Sequence, residues 1–348
     1  MRVGIEEAAP DALAAEWADL APRAANPSPY RSAAWMAAWL PLAAERCALR
    51  VARAEADGRT VALGVFGVRR GRPFQGQGAR LFEAGAPALD DAYVEYNDAW
   101  LAEDAPQDAR RALLSAVLTR TRAQSVVLRN AVPALRQAAL AAGRDRAWVV
   151  RVVSESPCYG AALGAPPPLS RNARQQAARS RRLYEARGPV AIEAARTPRA
   201  RAAAFERLTA LHEGVWRARG QAGAFTPAVR RLHEAFLARE DAPAEILTVR
   251  AGDQAIGALY NLTCGGTVHN YQSGFAPEAD NRLKPGLTCH LAAMDHYRQR
   301  GFWDYDLMAG DSRYKRSLGV AHKRLSTIEL ERPSLRQRLR GVARNVRS

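Results

Sequence analysis

Apolar residues first fall into helical register at Ser32, where Trp35, Trp39 and Leu42 follow at spacings of three and four. That periodicity predicts a helix, with Ser32 as its cap. The pattern then changes to alternation over Leu49–Ala54 and Thr60–Arg69, two strands joined by Asp57-Gly58, a strong hairpin signal. A helix over Ala105–Arg122, a strand at Ser125–Leu128, a helix at Ala134–Ala142 and a strand through Trp148–Val153 complete the first half. Ser156–Leu169 holds four prolines and little periodicity, which predicts an interdomain linker. Beyond it, Ser170 opens a very basic helix, Val190–Ala194 is a short strand, and helices cover Arg199–Arg217 and Pro227–Arg239. Three strands follow at Ala244–Ala251, Gln254–Cys264 and Thr267–Phe275, with turns at Gly252-Asp253 and Gly265-Gly266. Gly286–Gly301 then reads as a helix ending on a C-capping glycine, and Phe302–Met308 as a strand.

With 348 residues, 48% hydrophobic and 25% charged, the chain has the size of two domains of ordinary globular composition. The expected boundaries are 1–155, the linker 156–169, 170–332, and a basic tail over 333–348. Its net charge of +16 calls for an acidic partner, such as RNA, a phosphorylated substrate or an anionic membrane face, or else reflects arginine-rich codon drift. Cys47, Cys158, Cys264 and Cys289 are far apart with no ligand-spaced histidine, so neither a zinc site nor a disulfide framework is expected. Met1–Leu20 carries Glu6, Glu7, Asp11 and Glu16, unlike a signal peptide, and the longest apolar run, Ala33–Ala44, is too short to span a bilayer. A cytoplasmic location without a transmembrane segment is the expectation.

Charge also singles out one region. Arginine supplies all but three of the 51 basic residues, and Lys284, Lys315 and Lys323 fall within one stretch. They cluster either by chance or because a compact, hydrated ammonium is needed where a planar guanidinium fork would not serve.

The order in the second half, two helices, an antiparallel meander, a glycine-containing loop, a helix and a strand, is that of the GCN5-related N-acetyltransferase (GNAT) fold. Specific segments sharpen the likeness: Tyr271-Gln272-Ser273-Gly274-Phe275, Lys284-Pro285-Gly286, Tyr305-Asp306-Leu307-Met308-Ala309-Gly310-Asp311 and Tyr314-Lys315. Together with the Leu169–Arg174 opening, the helix holding Leu211, His212, Trp216 and Gly220, and Ser32–Trp35 with Trp39, they resemble the FemAB/CelD-type acyltransferase-like proteins across residues 30–330. The resemblance implies an α/β (α+β) chain of two GNAT-like domains, each a mixed, mostly antiparallel sheet flanked by helices. It also implies an acyltransferase whose donor is acyl-CoA (acetyl-CoA), as presumed for CelD-type relatives, or aminoacyl-tRNA, as in the Fem-type enzymes. No tightly bound cofactor and no metal are expected.

Candidate residues follow in the same terms. Tyr314-Lys315-Arg316-Ser317-Leu318-Gly319 is similar to the Fem-type segment whose lysine helps the reacting carbonyl, so Lys315, with Tyr314 beside it, is the first catalytic candidate. A fixed ammonium stabilises a developing oxyanion by several kcal/mol, roughly 10²–10³ in rate. Asp304 and Asp306 share a strand face. Asp306, which matches the family's Tyr-Asp-x-x-x-Gly pattern, is either a general base or a cap on the following loop or a partner of Arg313. Arg282, Lys284, Gly286, Leu287 and Thr288 occupy the place of the GNAT pyrophosphate loop. Pro285 departs from that loop's pattern because it has no N–H, with Lys284 able to compensate as a point charge. Tyr271, Gln272, Asp311, His212 and Trp216 are candidates for binding substrate, or for strand packing, a turn and a packed helical pair. His290 and His296 lack metal spacing, and Cys264 and Cys289 read as small buried hydrophobes.

Two partners are open: a small-molecule or saccharide acceptor, and tRNA or an anionic membrane surface contacted by the Arg171–Arg187 helix; DNA is not expected. The favoured function is transfer of an acyl group to an amine or hydroxyl of a cell-envelope or exopolysaccharide-related saccharide or a small metabolite. Aminoacyl transfer from charged tRNA is the alternative, and a non-catalytic partner of envelope synthesis a third.

Overall fold

The computed structural model of the protein describes residues 1–70, 77–218, 223 and 225–333, with the side chains of residues 70 and 215–218 left undescribed. The predicted tail, with Arg336, Arg338, Arg340, Arg344 and Arg347, lies outside the described residues. The chain divides into two compact units: Met1–Pro27, Trp39–Glu155 and the stretch from Leu325 form the first, Ser28–Ala38 and Ser156–Arg324 the second.

In the first unit, β1 (Arg2–Glu7) and α1 (Pro10–Leu20) precede the second half of α2 (Ala33–Ala44). The strands β2 (Ala48–Ala56), β3 (Arg59–Arg70) and β4 (Gln77–Leu81) form an antiparallel meander onto which β1 pairs. A one-turn helix α3 (Pro87–Asp90) and a short strand β5 (Trp100–Leu101) lead to α4 (Ala109–Arg120). β6 (Ala123–Ala131) then runs parallel to β4, and α5 (Pro133–Asp145) and the first part of β7 (Val149–Ala162) follow. Residues Ser326–Glu331 close the sheet, antiparallel to β6. The β2–β3 turn forms as its sequence predicts: Asp57 and Gly58 both take positive φ, 51° and 73°, as a type I′ hairpin requires.

The second unit repeats this plan. It contains α6 (Arg171–Glu185), β8 (Val190–Ala195), α7 (Pro198–Ala218), α8 (Pro227–Leu237), β9 (Ala244–Ala251), β10 (Gln254–Cys264), β11 (Thr267–Phe275), α9 (Pro285–Gln299), β12 (Asp304–Ala309), α10 (Arg313–Leu318) and β13 (Val320–Glu331), which leaves the unit at Arg324. β8, β9, β10 and β11 are antiparallel neighbours, β12 is parallel to β11, and Cys158–Ala162 of β7 pairs antiparallel with β12. In both units, then, a meander leads through a helix to a strand parallel to its last member.

Alternation along β10 and β12 gives the second sheet two apolar faces. Leu259, Tyr305 and Leu307 lie in the core with Tyr184 of α6 and Cys289, Ala293 and Tyr297 of α9. On the other face Tyr260 meets Phe205 of α7 and His233 of α8. Trp35 joins that face edge-on, its ring 5.3 Å from Phe236 and 5.7 Å from His233. The Trp35 helix is capped as predicted, since Ser32 Oγ accepts the Trp35 N–H at 3.2 Å.

Two expectations are corrected. The linker predicted over 156–169 is a strand for half its length, because its glycine and first proline serve β7 rather than break it. A Cβ on Gly160 would lie 2.8 Å from His322 Cε1, and Pro157 contributes its carbonyl, which accepts the Gly310 N–H at 3.0 Å. In addition β1, α1, β4, α3, β5, α10 and β13 were not anticipated; Val320–Arg324 are five consecutive exposed residues, which hides the period of a strand.

α7 packs so closely on β11 that a Cβ on Gly274 would sit 2.9 Å from the Leu208 carbonyl oxygen, while one on Gly164 would meet nothing within 4 Å. Gly274→Ala should therefore cost about 1–3 kcal/mol, and Gly164→Ala under about 0.5. Denaturant midpoints at unchanged m-value check the difference.

Candidate active site

The parallel pairing of β11 with β12 runs over three residues, Thr267↔Asp304, Val268↔Tyr305 and His269↔Asp306. β11 then bulges, since Tyr260 faces Gln272 while Asn261 faces Asn270, leaving Tyr271 as the extra residue. β12 turns off at Met308, whose φ of 65° is a strained value for a residue with a side chain, and Gly310 follows at 117°. Past His269 and Asp306 the two strands part, and the candidate residues gather around the opening.

On the α9 face, Tyr305 is fully buried and its hydroxyl shares a hydrogen bond with His290 Nδ1 at 3.1 Å. Tyr314 stacks on His290, centroids 5.8 Å apart and planes 17° apart. Burial, reinforced by the Lys315 ammonium, drives the His290 pKa down to about 3. Lys315 Nζ donates to the carbonyls of Met308, at 3.3 Å, and Ala309, so the end of β12 holds the ammonium at the opening.

α9 begins beside these groups. Lys284 occupies its N-cap position without a side-chain cap, its N–H donates to Ser180 Oγ at 2.8 Å, and Thr288 N–H is taken by the Lys284 carbonyl. Because Pro285 has no N–H, Gly286 and Leu287 supply the remaining first-turn amides. Gly286 rests on the Phe275 ring, 3.3 Å from where its Cβ would be. Thr288 is a correction. It is buried, with its hydroxyl 2.9 Å from Ser180 Oγ, so it locks α9 to α6 rather than facing a donor. Arg282 makes three side-chain bonds to Asp280, whose carboxyl it holds down at about 2. The α6 arginines at 171, 174, 179, 181 and 182 are all exposed, because the helix buries only Ala177, Ser180 and Tyr184, and Arg187 just beyond it is exposed too.

The opposite face carries Asp304, Asp306 and Met308. Asp306 is fully buried: Oδ1 accepts the Met308 N–H at 2.6 Å, and Oδ2 lies 3.6 Å from both His269 Nδ1 and His322 Nε2. Of the roles predicted for it, the carboxylate fills the cap of the following turn, and it does not contact Arg313 in these bonds. Asp306 in turn raises the His322 pKa, its carboxylate favouring the charged ring, and burial followed by Asp306 raises that of Asp304. Among the described residues no group of three or more His, Cys, Asp or Glu is arranged to hold a metal ion.

Further along this face Tyr271 OH lies 2.9 Å from His233 Nε2, and His233 Nδ1 lies 3.1 Å from Tyr260 OH. Burial pushes the His233 pKa down to about 3. His212 is buried against Phe225 with Nδ1 3.4 Å from the Ser273 carbonyl, the packed alternative of its two expected roles. The Trp216 side chain lies outside the described residues. Gln272 Oε1 accepts the Ser273 N–H at 3.2 Å, and Asp311 is exposed, bonded to Tyr159 OH at 2.9 Å and to Arg316.

Beneath the bulge runs a buried polar chain. Ser273 Oγ donates to Asn270 at 3.0 Å, Asn270 Nδ2 to Asn261 at 3.0 Å, Asn261 Nδ2 to Tyr297 OH at 3.1 Å, and Tyr297 bonds Glu245. His269, His290, His322 and Ser180 escaped the sequence reading because each acts across strands or helices far apart in the chain. Only the neighbour of His322, Lys323, gave a signal, as one of the three lysines.

Residues 171–316 match the family model described as the acetyltransferase (GNAT) domain. No curated protein sequence matches the chain. Among solved structures the chain is similar to FemX, at 9% identity and a TM-score of 0.59, covering 93% of this chain and 96% of that one. It is similar to L-PGS from Bacillus licheniformis, at 13% and 0.56 with 97% of each chain covered. It is also similar to a tandem GNAT protein from the clavulanic acid biosynthesis pathway, at 13% and 0.52, covering 96% and 100%. Residues 171–316 of the second unit thus carry a GNAT acetyltransferase domain, which is the domain of an acyltransferase. Within the class its fold is FemAB-like, with both units built on the GNAT plan.

His233 and His290 must be neutral when folded but charge freely when unfolded. Their folded pKa values lie below the unfolded one, so the stability they contribute is complete above about pH 6.5 and is lost as pH falls towards 3. Each should remove up to about 1.4 kcal/mol per pH unit in that window. Thermal melts from pH 7 to 4 should show a falling Tm, and His290→Gln should flatten the slope.

Proposed function

We propose that the protein transfers an acyl group from acyl-CoA, acetyl-CoA in the simplest case, to an amine or hydroxyl of a saccharide or other small acceptor by direct attack. The observation that carries this reading is the α9 N-terminus. It has no side-chain cap and opens beside the parted β11 and β12, and its first-turn Gly286 and Leu287 amides beside Lys284 suit a phosphate group. Lys315, fixed by the carbonyls at the end of β12, steadies the oxyanion that forms as the acyl carbonyl is attacked, with Tyr314 closing over the same side. Tyr271, Gln272 and Asp311 are the candidates for contacting the substrates. Direct attack is favoured because the buried thiol of Cys289 is pushed far up by its surroundings and is a poor nucleophile.

A second reading, aminoacyl transfer from charged tRNA, is favoured by Pro285, which removes one phosphate-binding amide, and by the exposed arginines of α6. The acceptor in either case belongs to the saccharide, cell-envelope or small-metabolite classes.

Thermal shift with acetyl-CoA, longer acyl-CoAs and charged tRNA at two salt concentrations separates the readings. A CoA thioester at a hundred times its Kd should stabilise the protein by about 2.7 kcal/mol. Silence with every thioester, together with tRNA binding that weakens with salt, would replace the first reading by the second. On the first reading, Lys315→Ala should lower kcat roughly 10²–10³-fold with donor affinity kept, and Lys284→Ala should weaken donor binding with kcat little changed.

A further inference from the structure

The row His269, Asp306, His322 spans β11, β12 and β13, with β7 between the last two, at the point where β11 and β12 part. Asp306 is the last residue of β12 paired with β11, its partner there is His269, and its partner on the other side is Gly160 of β7. His322, at the start of β13, lies over Gly160, whose missing Cβ leaves room for the imidazole. Gly319 makes the same approach possible one turn earlier, since a Cβ there would lie 2.6 Å from the Gly160 carbonyl oxygen. Two glycines, Gly160 on β7 and Gly319 at the end of α10, therefore let one imidazole sit against one buried carboxylate.

Exposure differs along the row. The Asp306 side chain is 0% exposed, His269 10% and His322 24%. Only His322 combines contact with the buried carboxylate and appreciable access to solvent. The row also lies on the face of β12 opposite Tyr305 and α9, the face away from the donor-binding helix end.

We propose that His322 is the general base of the transfer and that Asp306 is the residue that positions it. This assignment rests on the acyl-transfer reading above. The donor enters along the α9 face and the acceptor approaches from the Asp306 face. A lone pair of the acceptor's amine or hydroxyl forms the new bond to the acyl carbon while its proton passes to the His322 ring nitrogen that does not face Asp306. As the tetrahedral intermediate collapses, the carbon–sulfur bond breaks and its electron pair leaves with the CoA thiolate, which takes up a proton. Asp306, which cannot reach the acceptor itself, stabilises the imidazolium formed in the first step. The groups facing His322 are Asp306 and Asp304 from β12, His269 from β11 by way of Asp306, and Lys323 on its own strand; the two carboxylates favour the protonated ring and Lys323 opposes it.

Two measurements test this separately from the donor reading. Histidine side-chain NMR of the full chain, with no substrate present, should place the His322 pKa above the free-histidine value, and Asp306→Asn should bring it down by about one unit or more. A His322 titration indifferent to Asp306→Asn overturns the pairing. In thiol release from acetyl-CoA with a panel of amino sugars, His322→Gln should lose about 10²–10⁴-fold in kcat/KM. His322→Ala should regain activity on adding imidazole, and Asp306→Asn should move the acid limb of the pH profile to lower pH. A His322→Gln protein with a wild-type melting curve, rate and pH profile overturns the assignment. Wild-type protein that binds no thioester and transfers to no acceptor overturns the acyl-CoA reading and the base with it, while the NMR result still decides whether the pair exists.

Discussion

Only three parallel pairs join β11 to β12, and the site exists because there are no more. A sheet leaves backbone donors and acceptors unpaired at a cost comparable to a lost hydrogen bond for each buried group, so strands part inside a domain only where something else holds them apart. Here the holding is done from both sides. The bulge at Tyr271 turns β11 away, and the Asp306 carboxylate fixes the left-handed turn at Met308 that carries β12 off. Lys315 then takes up the carbonyls which that turn exposes. The same carboxylate therefore shapes the opening and faces two imidazoles beside it.

The buried chain from Glu245 to Ser273 gives the bulge its stiffness. Its donors all point one way, towards a carboxylate gripped by Arg196 and Arg300, so each amide orientation is set by the next. The aromatic side, Tyr30, Trp35, His233 and Tyr271, is rigid for a different reason. Its rings meet edge to face or tilted, and the one basic group among them, the His233 imidazole, is kept neutral by burial. Between them, the two clusters fix β11 on both faces of the sheet.

Much of this was legible in the chain. The order of elements in the second half and the segments around Tyr271, Lys284 and Tyr305–Lys315 pointed to the fold and to the place where β11 and β12 part, because they are local and close in sequence. The turn at Asp57-Gly58 and the cap at Ser32 were legible for the same reason. What escaped depends on approach across strands. Gly160 looked like a loop residue because nothing local says that His322 lies on it, and Thr288 looked exposed because its partner, Ser180, is on another helix. Asp306 was singled out by its motif, but its burial, and hence the need for another group to reach the acceptor, belongs to packing alone.

Each unit ends its sheet with a strand that the chain order would assign elsewhere: Ser326–Glu331 completes the first, and Cys158–Ala162, made before α6, completes the second. This bears on how the protein is born. During synthesis the first unit cannot finish when its own helices have emerged, because β6 waits for a strand nearly at the far end of the chain. At about 5–20 residues per second that wait is on the order of ten seconds or more, with the β6 edge open to any passing strand. The polypeptide thus closes its first half last, and a chain broken off early would leave both halves unfinished rather than one of them folded.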